Sequence, residues 1–355
     1  MGGSEAGYVS EAFESNYIAP LGRFVEKLER DIEDYTGCGK AVVLSSGTAA
    51  LHLALIVSGV ERGDRVLVST FTFAASAFPV RYIGAEPVFV DSDESWNADP
   101  ALVEEAIVKE RPKAFVVTHL YGQSAKIDEI SRICDEYGVV LIEDSAESLG
   151  ALYGDRHTGT FGKFGIYSFN GNKTITTGGG GVLVSPDAES IERAKKLSTQ
   201  AREPMIWYEH EEVGYNYRMS NILAAIGVGQ MEVLEERVSR KREIFDTYRR
   251  YLRDIPEIEW MPEIPSSRGS RWLTTMVLKR SDPMRLIEAL ERENIESRPL
   301  WKPMHMQPVF SDCRLYGSDR SGDLFSRGVC LPSGTAMDDE DMDRILSIVR
   351  RELCC

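Results

Sequence analysis

Hydrophobic residues follow two alternating patterns along the first part of the chain. Short apolar runs rich in Val, Ile and Phe predict buried β-strands at 41–44, 65–69, 87–90, 114–118, 139–142, 165–169 and 182–184. Segments with apolar residues at helical spacing predict helices between most of these strands, at 23–35, 49–57, 100–109, 128–137 and 188–197. This alternation is typical of an α/β fold, in which helices cover both faces of a mostly parallel sheet.

The second part of the chain has a different pattern. A long helical pattern covers 221–255, and three prolines with several small residues follow at 256–269. A strand, a helix and a closing helix are predicted after it, at 273–278, 283–293 and 338–353. Because domain boundaries favour such proline-rich stretches, we expect a large domain over 1–255 and a small α+β domain over 256–355.

The composition excludes several classes of protein. The chain has 355 residues, of which 43% are hydrophobic and 27% charged, as in ordinary soluble globular proteins. Its net charge of −15 argues against a nucleic-acid partner, which requires a basic face, but not against a phosphate-bearing ligand. No apolar run approaches the ~20 residues that span a bilayer, and the first residues lack the basic start and apolar core of a signal peptide. We therefore expect a cytoplasmic protein without a membrane segment.

The cysteines are scattered and form no metal-binding pattern. No CxxC pair occurs, and no histidines lie near them at zinc spacing. Reduced thiols and no metal site are the simplest expectation. The six are Cys38, Cys134, Cys313, Cys330, Cys354 and Cys355.

One lysine has an unusual setting. Lys173 stands between the predicted strand 165–169 and a loop with four consecutive glycines at 178–181. Glycine lets the backbone pass close to a bound group, and a lysine amine screened from water is a nucleophile for carbonyl carbon. A surface lysine beside a flexible loop is the alternative, which this stretch alone leaves open.

Two further stretches could hold an anionic ligand and a cation. In Ser45-Ser46-Gly47-Thr48, a predicted strand turns into a helix, so that free amides could bind phosphate, or Ser46 or Thr48 could simply cap the helix. The strand at 139–142 delivers Glu143 and Asp144 to its carboxyl end, where α/β sheets bind ligands. A carboxylate there either meets a cation or caps a helix.

Aromatic residues complete the set. Phe71 follows the strand at 65–69 and could stack on a planar ring, although burial in the core is the common fate of such residues. The stretch GYNYRMS at 214–220 suits recognition or an ordered helix start capped by Ser220. A phosphate cradle, an aromatic plate, a carboxylate and an isolated lysine are together what pyridoxal phosphate requires.

Five motifs carry a family resemblance: SSGTAALHLAL, STFTFAAS, VVLIEDSAESLGA, GIYSFNGNK and GYNYRMSN. In this order they resemble the DegT-type sugar-nucleotide aminotransferases, which have the aspartate-aminotransferase architecture (PLP fold type I). The resemblance implies a large domain with a mostly parallel seven-stranded sheet and a small α+β C-terminal domain. The stretches SEAGYVSEAFESNYIAPLG and ESRPLWKPMHMQPVF resemble the branch that aminates C4 of UDP-2-acetamido-2,6-dideoxy-4-hexulose.

The resemblance also implies residue roles. Lys173 becomes the Schiff-base lysine and Asp144 the partner of the pyridine nitrogen. The cofactor phosphate and ring face fall to Gly47, Thr48, Ser168 and Phe71. Asn216 would reach the phosphate of the neighbouring subunit's cofactor, so we expect a homodimer with active sites at the subunit interface.

One position departs from the family pattern. Three residues after the aspartate, many members have Gln or His near the cofactor's phenolic oxygen, whereas this chain has Glu147. An ionised Glu147 would repel a phenolate, so we expect it to be protonated or turned away. Some relatives have histidine in place of the lysine and are dehydratases; the presence of Lys173 favours transamination.

A cationic and aromatic cluster is the candidate nucleotide site. Such groups suit a diphosphate and a uracil ring, although a charge cluster can also be a solvated surface. The cluster is Arg298, Trp301, Lys302 and His305. Asn16, Tyr17 and Arg218 are further substrate-binding candidates, and we expect His119 to be structural.

The expected function is amino transfer from L-glutamate to the C4 ketone of a UDP-linked 4-keto-6-deoxy sugar. Pyridoxal 5'-phosphate is the expected cofactor, with pyridoxamine phosphate (PMP) as its intermediate form. Amination of a dTDP-keto sugar is an alternative. A cofactor-dependent sugar dehydratase and a cofactor-binding regulator on the same scaffold are two others.

Overall fold

The computed structural model describes residues 1–354, and twelve α-helices and fifteen strands occur among them. The helices are α1 (Glu5–Glu14), α2 (Arg23–Thr36), α3 (Gly47–Val57), α4 (Phe78–Ile83), α5 (Pro100–Glu110), α6 (Ile127–Tyr137), α7 (Ala188–Ser198), α8 (Asn221–Met231), α9 (Leu234–Tyr251), α10 (Pro283–Arg292), α11 (Arg320–Arg327) and α12 (Asp339–Leu353). The strands are β1 (Lys40–Leu44), β2 (Arg65–Ser69), β3 (Glu86–Val90), β4 (Ala114–Thr118), β5 (Val140–Asp144), β6 (Leu152–Tyr153), β7 (Arg156–His157), β8 (Phe164–Ser168), β9 (Gly181–Ser185), β10 (Ile258–Trp260), β11 (Ser267–Arg268), β12 (Thr274–Leu278), β13 (Arg298–Pro299), β14 (Leu315–Tyr316) and β15 (Gly328–Leu331).

The largest sheet has the strand order β1-β9-β8-β5-β4-β2-β3-β14. Only β9 runs against its neighbours; every other adjacent pair is parallel. The predicted fold class is therefore confirmed, with one strand more than the seven expected. The additional strand is β14, a two-residue segment from the C-terminal part that pairs with the edge strand β3.

Both faces of this sheet are covered by helices, which explains why its strands are almost continuously apolar. Alternate residues of β1 point to opposite faces: Val42 and Leu44 pack in one core cluster with α3, and Ala41 and Val43 in another with α2 and α8. The register pairs Asp144 at the end of β5 with Thr118 of β4 and with Ile166 of β8. The carboxyl ends of these parallel strands therefore meet at one edge of the sheet.

The C-terminal part forms an antiparallel sheet in the order β10-β12-β15-β13, and α9, α10 and α12 share a buried core with it. The single helix predicted over 221–255 is two helices, which meet at residues 232–233. The second half of α9 joins this core through Ile244 and Tyr248. The domain boundary between residues 255 and 256 stays a prediction.

Two smaller expectations can be compared with the structure. No helix within residues 1–354 is sufficiently long and apolar to cross a bilayer. The cysteines in this range are free thiols, and three of them, Cys38, Cys134 and Cys330, are buried. Cys355, which ends the predicted small domain, lies outside the described residues.

Candidate active site

A cavity of about 980 Å³ lies where the carboxyl ends of β1, β5 and β8 face the C-terminal part of the chain. This volume is in the usual range for small-molecule sites. Eight of the predicted site residues line it: Gly47, Thr48, Asp144, Glu147, Ser168, Lys173, Arg298 and Trp301. Seven others do not, namely Asn16, Tyr17, Phe71, Asn216, Arg218, Lys302 and His305.

One end of the cavity is the N-terminus of α3. The Ser46 hydroxyl accepts a hydrogen bond from the Ala49 amide at 3.0 Å, so Ser46 caps the helix. The amides of Gly47 and Thr48 have no acceptor within residues 1–354. Ser168 lies beside them, since a Cβ atom on Gly47 would be 3.5 Å from its Oγ. These groups form an anion site in which the helix dipole favours a phosphate.

One of the four consecutive glycines is required by this arrangement. A Cβ atom on Gly181, the first residue of β9, would lie 2.4 Å from the backbone nitrogen of Gly47. A side chain at this position would displace the helix N-terminus from the end of the sheet. Gly181 therefore keeps the anion site in place.

Asp144 is held by a buried chain of hydroxyl groups. The Ser76 hydroxyl donates to Asp144 Oδ2 at 2.5 Å, and the Ala146 amide donates to Oδ1 at 3.2 Å. Ser76 is bonded in turn to Thr72 at 2.6 Å, and Thr72 to Thr118 at 2.8 Å. Because an ionised carboxylate has about four acceptor positions, Asp144 keeps capacity for a donor in the cavity. A protonated ring nitrogen is such a donor.

Lys173 has its amine against an aromatic face. Its Nζ lies 4.0 Å from the centre of the Trp272 ring, and the Trp272 indole donates to the Asn172 carbonyl at 2.7 Å. Burial lowers the pKa of Lys173, while the carboxylates of Glu147 and Asp144 act in the opposite direction. The amine is therefore shifted towards its neutral, nucleophilic form.

Glu147 is buried in the wall of the same cavity. Its Oε2 accepts a hydrogen bond from the Tyr121 amide at 2.6 Å. Burial raises the pKa of Glu147 to about 7, although the charge of Lys173 and the Tyr121 amide lower it, and Asp144 contributes in the raising direction. The structure thus favours the protonated form among the two alternatives that the sequence left open.

The aromatic residue available to a ligand is Phe73, and the expectation for Phe71 needs correction. Phe71 is only 2% exposed and packs edge-on against Tyr121 in a buried cluster outside the cavity wall. Phe73 is 56% exposed, lines the cavity and lies 5.4 Å from the ring of Trp301. Phe71 and Phe73 follow the end of β2, where strand alternation no longer indicates which ring faces the ligand.

The cationic cluster predicted for the nucleotide is divided. Arg298 and Trp301 line the cavity, and Arg298 is exposed and paired with Glu296 at 2.5 Å. His305 is bonded to Thr70 at 2.7 Å and to Asp319 at 2.9 Å, outside the cavity wall. Lys302 is exposed to solvent. The 3₁₀ turn at Met304–Met306 carries His305 away from the cavity.

Arg218 is a structural residue, contrary to the substrate role predicted for it. Its side chain is buried, donates to the Val43 carbonyl at 2.9 Å and forms an ion pair with Glu29 at 2.6 Å. His119 is structural as expected: it is fully buried and its Nε2 lies 2.8 Å from Glu143.

Three predicted residues lie on the surface of the single chain. Asn16, Tyr17 and Asn216 are exposed, and none lines the cavity. The Tyr17 carbonyl accepts a hydrogen bond from Asn221 at 2.7 Å. The contact between Asn216 and a neighbouring subunit's cofactor stays a prediction.

Four residues of the site were not predicted. Ser76 closes the STFTFAAS motif and Phe73 lies within it, so that motif could have indicated both. Trp272 precedes β12, and Arg344 lies on α12 at the rim of the cavity. No local pattern identifies these two, because only the folded chain brings the C-terminal part against β5 and β8.

Comparisons with known proteins agree with this geometry. The profile of the DegT/DnrJ/EryC1/StrS aminotransferase family matches residues 1–350. EpsN of Bacillus subtilis (strain 168), provisionally named a pyridoxal phosphate-dependent aminotransferase, is 48% identical over 98% of this chain and 93% of its own. GDP-perosamine synthase of Escherichia coli O157:H7 is 35% identical over 96% of this chain and 93% of its own.

A solved structure has the same fold. The DegT DnrJ EryC1 StrS aminotransferase from Brucella abortus superimposes with a TM-score of 0.91, at 28% identity, over 98% of this chain and 95% of that chain. The cavity fits the cofactor of such enzymes, since unpaired helix amides, a buried carboxylate and a lysine amine with a lowered pKa meet in it. The chain belongs to the DegT/DnrJ/EryC1/StrS aminotransferase family, and its cofactor is pyridoxal 5'-phosphate, with PMP as the aminated form.

Proposed function

We propose that this chain transfers an amino group from L-glutamate to the C4 ketone of a nucleotide-linked 4-keto-6-deoxy sugar. UDP-2-acetamido-2,6-dideoxy-4-hexulose is the first candidate substrate. The observation that carries the proposal is the meeting of Lys173, Asp144 and the α3 N-terminus in one cavity. This is the set of an amine, a carboxylate and an anion site that a pyridoxal phosphate aminotransferase uses.

Bound pyridoxal phosphate supplies an electron sink for the electrons released when the donor's α-proton leaves. Lys173 would hold the cofactor covalently and, once displaced by the donor, move that proton as general base and then acid. Asp144, fixed by Ser76, would keep the ring nitrogen protonated. Gly47, Thr48 and Ser168 would bind the phosphate. Ping-pong kinetics follow from the two half-reactions.

The opposite side of the cavity supports a nucleotide sugar. Arg298 and Arg344 place two guanidinium groups on it, and the rings of Phe73 and Trp301 lie beside them. Guanidinium groups suit a diphosphate and aromatic faces suit a base. The name of the relative GDP-perosamine synthase supports a nucleotide-linked sugar but names a different nucleotide.

We also propose that the enzyme is a cytoplasmic homodimer with its active sites at the subunit interface. The segment at 205–208 supports this, because Ile206 is 95% exposed and Trp207 and Tyr208 are also exposed on the single chain. Asn216 lies near this segment in sequence and is free to meet a partner. Sedimentation of the purified protein tests the dimer; a fully active monomer would refute it.

The amine's role is tested with Lys173→Ala. We expect loss of the visible absorbance of the lysine-bound cofactor and loss of turnover, whereas Lys163→Ala, which removes an exposed lysine, keeps both. Full activity of Lys173→Ala would contradict the proposal.

The substrate is tested with a panel of UDP-, dTDP- and GDP-linked 4-keto sugars, with the products identified by mass. A gain of one amino group that depends on glutamate supports the proposal. Loss of water from the sugar without glutamate would indicate a dehydratase, and an absorbance that does not respond to glutamate would indicate a regulator.

A further inference from the structure

Lys241 on α9 is a buried cation without a carboxylate partner. Its side chain is 6% exposed, and its Nζ donates to the carbonyls of Trp272 at 2.9 Å and Ser333 at 3.1 Å. Burial lowers the pKa of Lys241 to about 8. A buried ammonium is costly unless its protons are bonded, and an apolar side chain would fill the same space without that cost. The two carbonyl contacts are therefore what this lysine contributes.

Both carbonyls belong to the cavity wall, on two separate segments. Trp272 lies just before β12 and Ser333 just after β15. The Ser333 hydroxyl also accepts a hydrogen bond from the Thr274 amide at 2.8 Å. Lys241 thus fixes these segments to each other and to α9, and the position of Trp272 follows from this.

Trp272 in turn fixes the segment that carries the reactive amine. Its indole N–H donates to the Asn172 carbonyl at 2.7 Å, and its ring centre lies 4.0 Å from Lys173 Nζ. The ring is buried between Tyr121, at 6.4 Å, and Trp301, at 5.9 Å, so it has little freedom to rotate. One side chain therefore holds the backbone beside Lys173 and covers the amine itself.

We propose that Trp272 is a positioning residue for the Lys173 amine and that Lys241 acts through Trp272 to keep it in place. The proposal rests on the function proposed above, in which Lys173 is the reactive amine. An aromatic face attracts an ammonium group and keeps water from it. The indole bond to Asn172 removes freedom from the chain next to the lysine, and covalent capture of a carbonyl is sensitive to misplacement of this kind.

The variants form a graded series. Trp272→Phe keeps an aromatic face and loses the bond to Asn172, and Trp272→Leu loses both but stays apolar. Lys241→Met removes the two bonds to the carbonyls, and Lys241→Gln keeps amide donors on a shorter stem. The matched controls are Trp260→Phe, on β10 outside the cavity, and Lys279→Met, since Lys279 also donates to a carbonyl, that of Pro256, but on the surface.

The first readout is the rate at which cofactor-free protein captures pyridoxal phosphate on Lys173. It is followed by visible absorbance and mapped by peptide mass after reduction. We expect Trp272→Leu and Lys241→Met to be slower by about tenfold or more, with Trp272→Phe and Lys241→Gln in between and both controls within about twofold. If Lys241→Met does not fold, as judged by circular dichroism, Lys241→Gln and the Trp272 variants carry the test.

The second readout is the pH midpoint of capture, which reports the charge of the amine and which a merely loosened fold would not lower. In Trp272→Leu the ammonium form loses its aromatic partner while the site stays apolar, so the midpoint should fall by about half a unit to one unit. Unchanged rates, or a midpoint that rises, would overturn the proposal. Lys173→Ala separates the two levels, because capture in that variant would refute the proposed function itself.

Discussion

Glu143 and Asp144 are neighbours at the end of one strand, yet their surroundings differ. Both oxygens of Glu143 are occupied, by the amides of Gly159, Phe161 and Gly162 at 2.6–2.8 Å and by His119 at 2.8 Å. Asp144 accepts one hydroxyl and one amide hydrogen bond and borders the cavity. Successive residues of a strand point to opposite faces, which separates the two carboxylates. Position at a strand end does not make a carboxylate functional; unfilled bonding capacity towards a cavity does.

Two buried cations differ in the same way. Arg218 is bonded to Glu29 and to the Val43 carbonyl, which ties α2 and β1 to the segment before α8. The Lys173 amine has no hydrogen-bond acceptor among residues 1–354, and its nearest partner is the face of Trp272. The filled group stabilises the fold, and the unfilled group is available for chemistry.

The largest expected effect is on the unfilled carboxylate. Asp144→Asn keeps the size and the bond from Ser76 but removes the charge that holds a ring nitrogen protonated, so we expect kcat to fall by about 10³-fold. Steady-state kinetics with saturating pyridoxal phosphate measure this loss. The free energy of unfolding, measured in denaturant, should stay within about 1 kcal/mol of the wild type. Wild-type kcat in this variant would show that the bordering carboxylate has no catalytic part.

The contrasting prediction concerns the filled carboxylate. Glu143→Gln places an amide N–H₂ against backbone donors that the carboxylate now accepts, so we expect unfolding to become easier by about 4 kcal/mol. Chemical denaturation measures the change. The fraction that remains folded should keep kcat within a few-fold of the wild type. If stability were unchanged and kcat fell instead, the distinction between the two carboxylates would be wrong.

Sequence could predict the side of this comparison that depends on local pattern. Lys173, Asp144 and Ser168 lie at ends of strands that the apolar runs indicate, and the strands at 65–69 and 114–118 have the predicted bounds. Parallel strand ends meet at one edge, so these residues had to come together. The remainder depends on partners far away along the chain. Arg218 is structural because Glu29, 189 residues earlier, meets it in a buried ion pair. Trp272 reaches Lys173 only through the packing of the C-terminal part.

A third prediction uses the group between these extremes, since Glu147 has one oxygen bonded and borders the cavity. Burial raises its pKa from 4.5 to about 7, so the folded protein holds this proton more tightly than the unfolded chain does. Stability from this group is therefore lost as pH rises from 4.5 to 7. Relative to Glu147→Gln, which does not titrate, wild-type protein without cofactor should lose about 3 kcal/mol of unfolding free energy across this window.

Denaturation of both proteins at half-unit pH steps measures this difference. The groups that face Glu147 are Lys173, Asp144 and the Tyr121 amide, and all three are retained in the variant. A difference that stays constant between pH 4.5 and 7 would mean that Glu147 is already ionised in the folded state. It would then belong with the filled carboxylates, despite its place in the cavity wall.

The smallest expected effect divides the cationic cluster. Arg298 borders the cavity and Lys302, four residues later, faces solvent, so only Arg298 should contact a nucleotide diphosphate. Because Arg298 is exposed, we expect Arg298→Ala to raise the KM for the UDP-sugar by about five- to tenfold, or about 1 kcal/mol, with little change in kcat. Lys302→Ala is the matched control and should leave KM unchanged. Retention of pyridoxal phosphate, followed by visible absorbance, should be the same in both variants, because neither residue lies at the α3 N-terminus. Equal increases in KM would mean that long-range attraction by exposed charge, rather than contact at the cavity wall, binds the nucleotide.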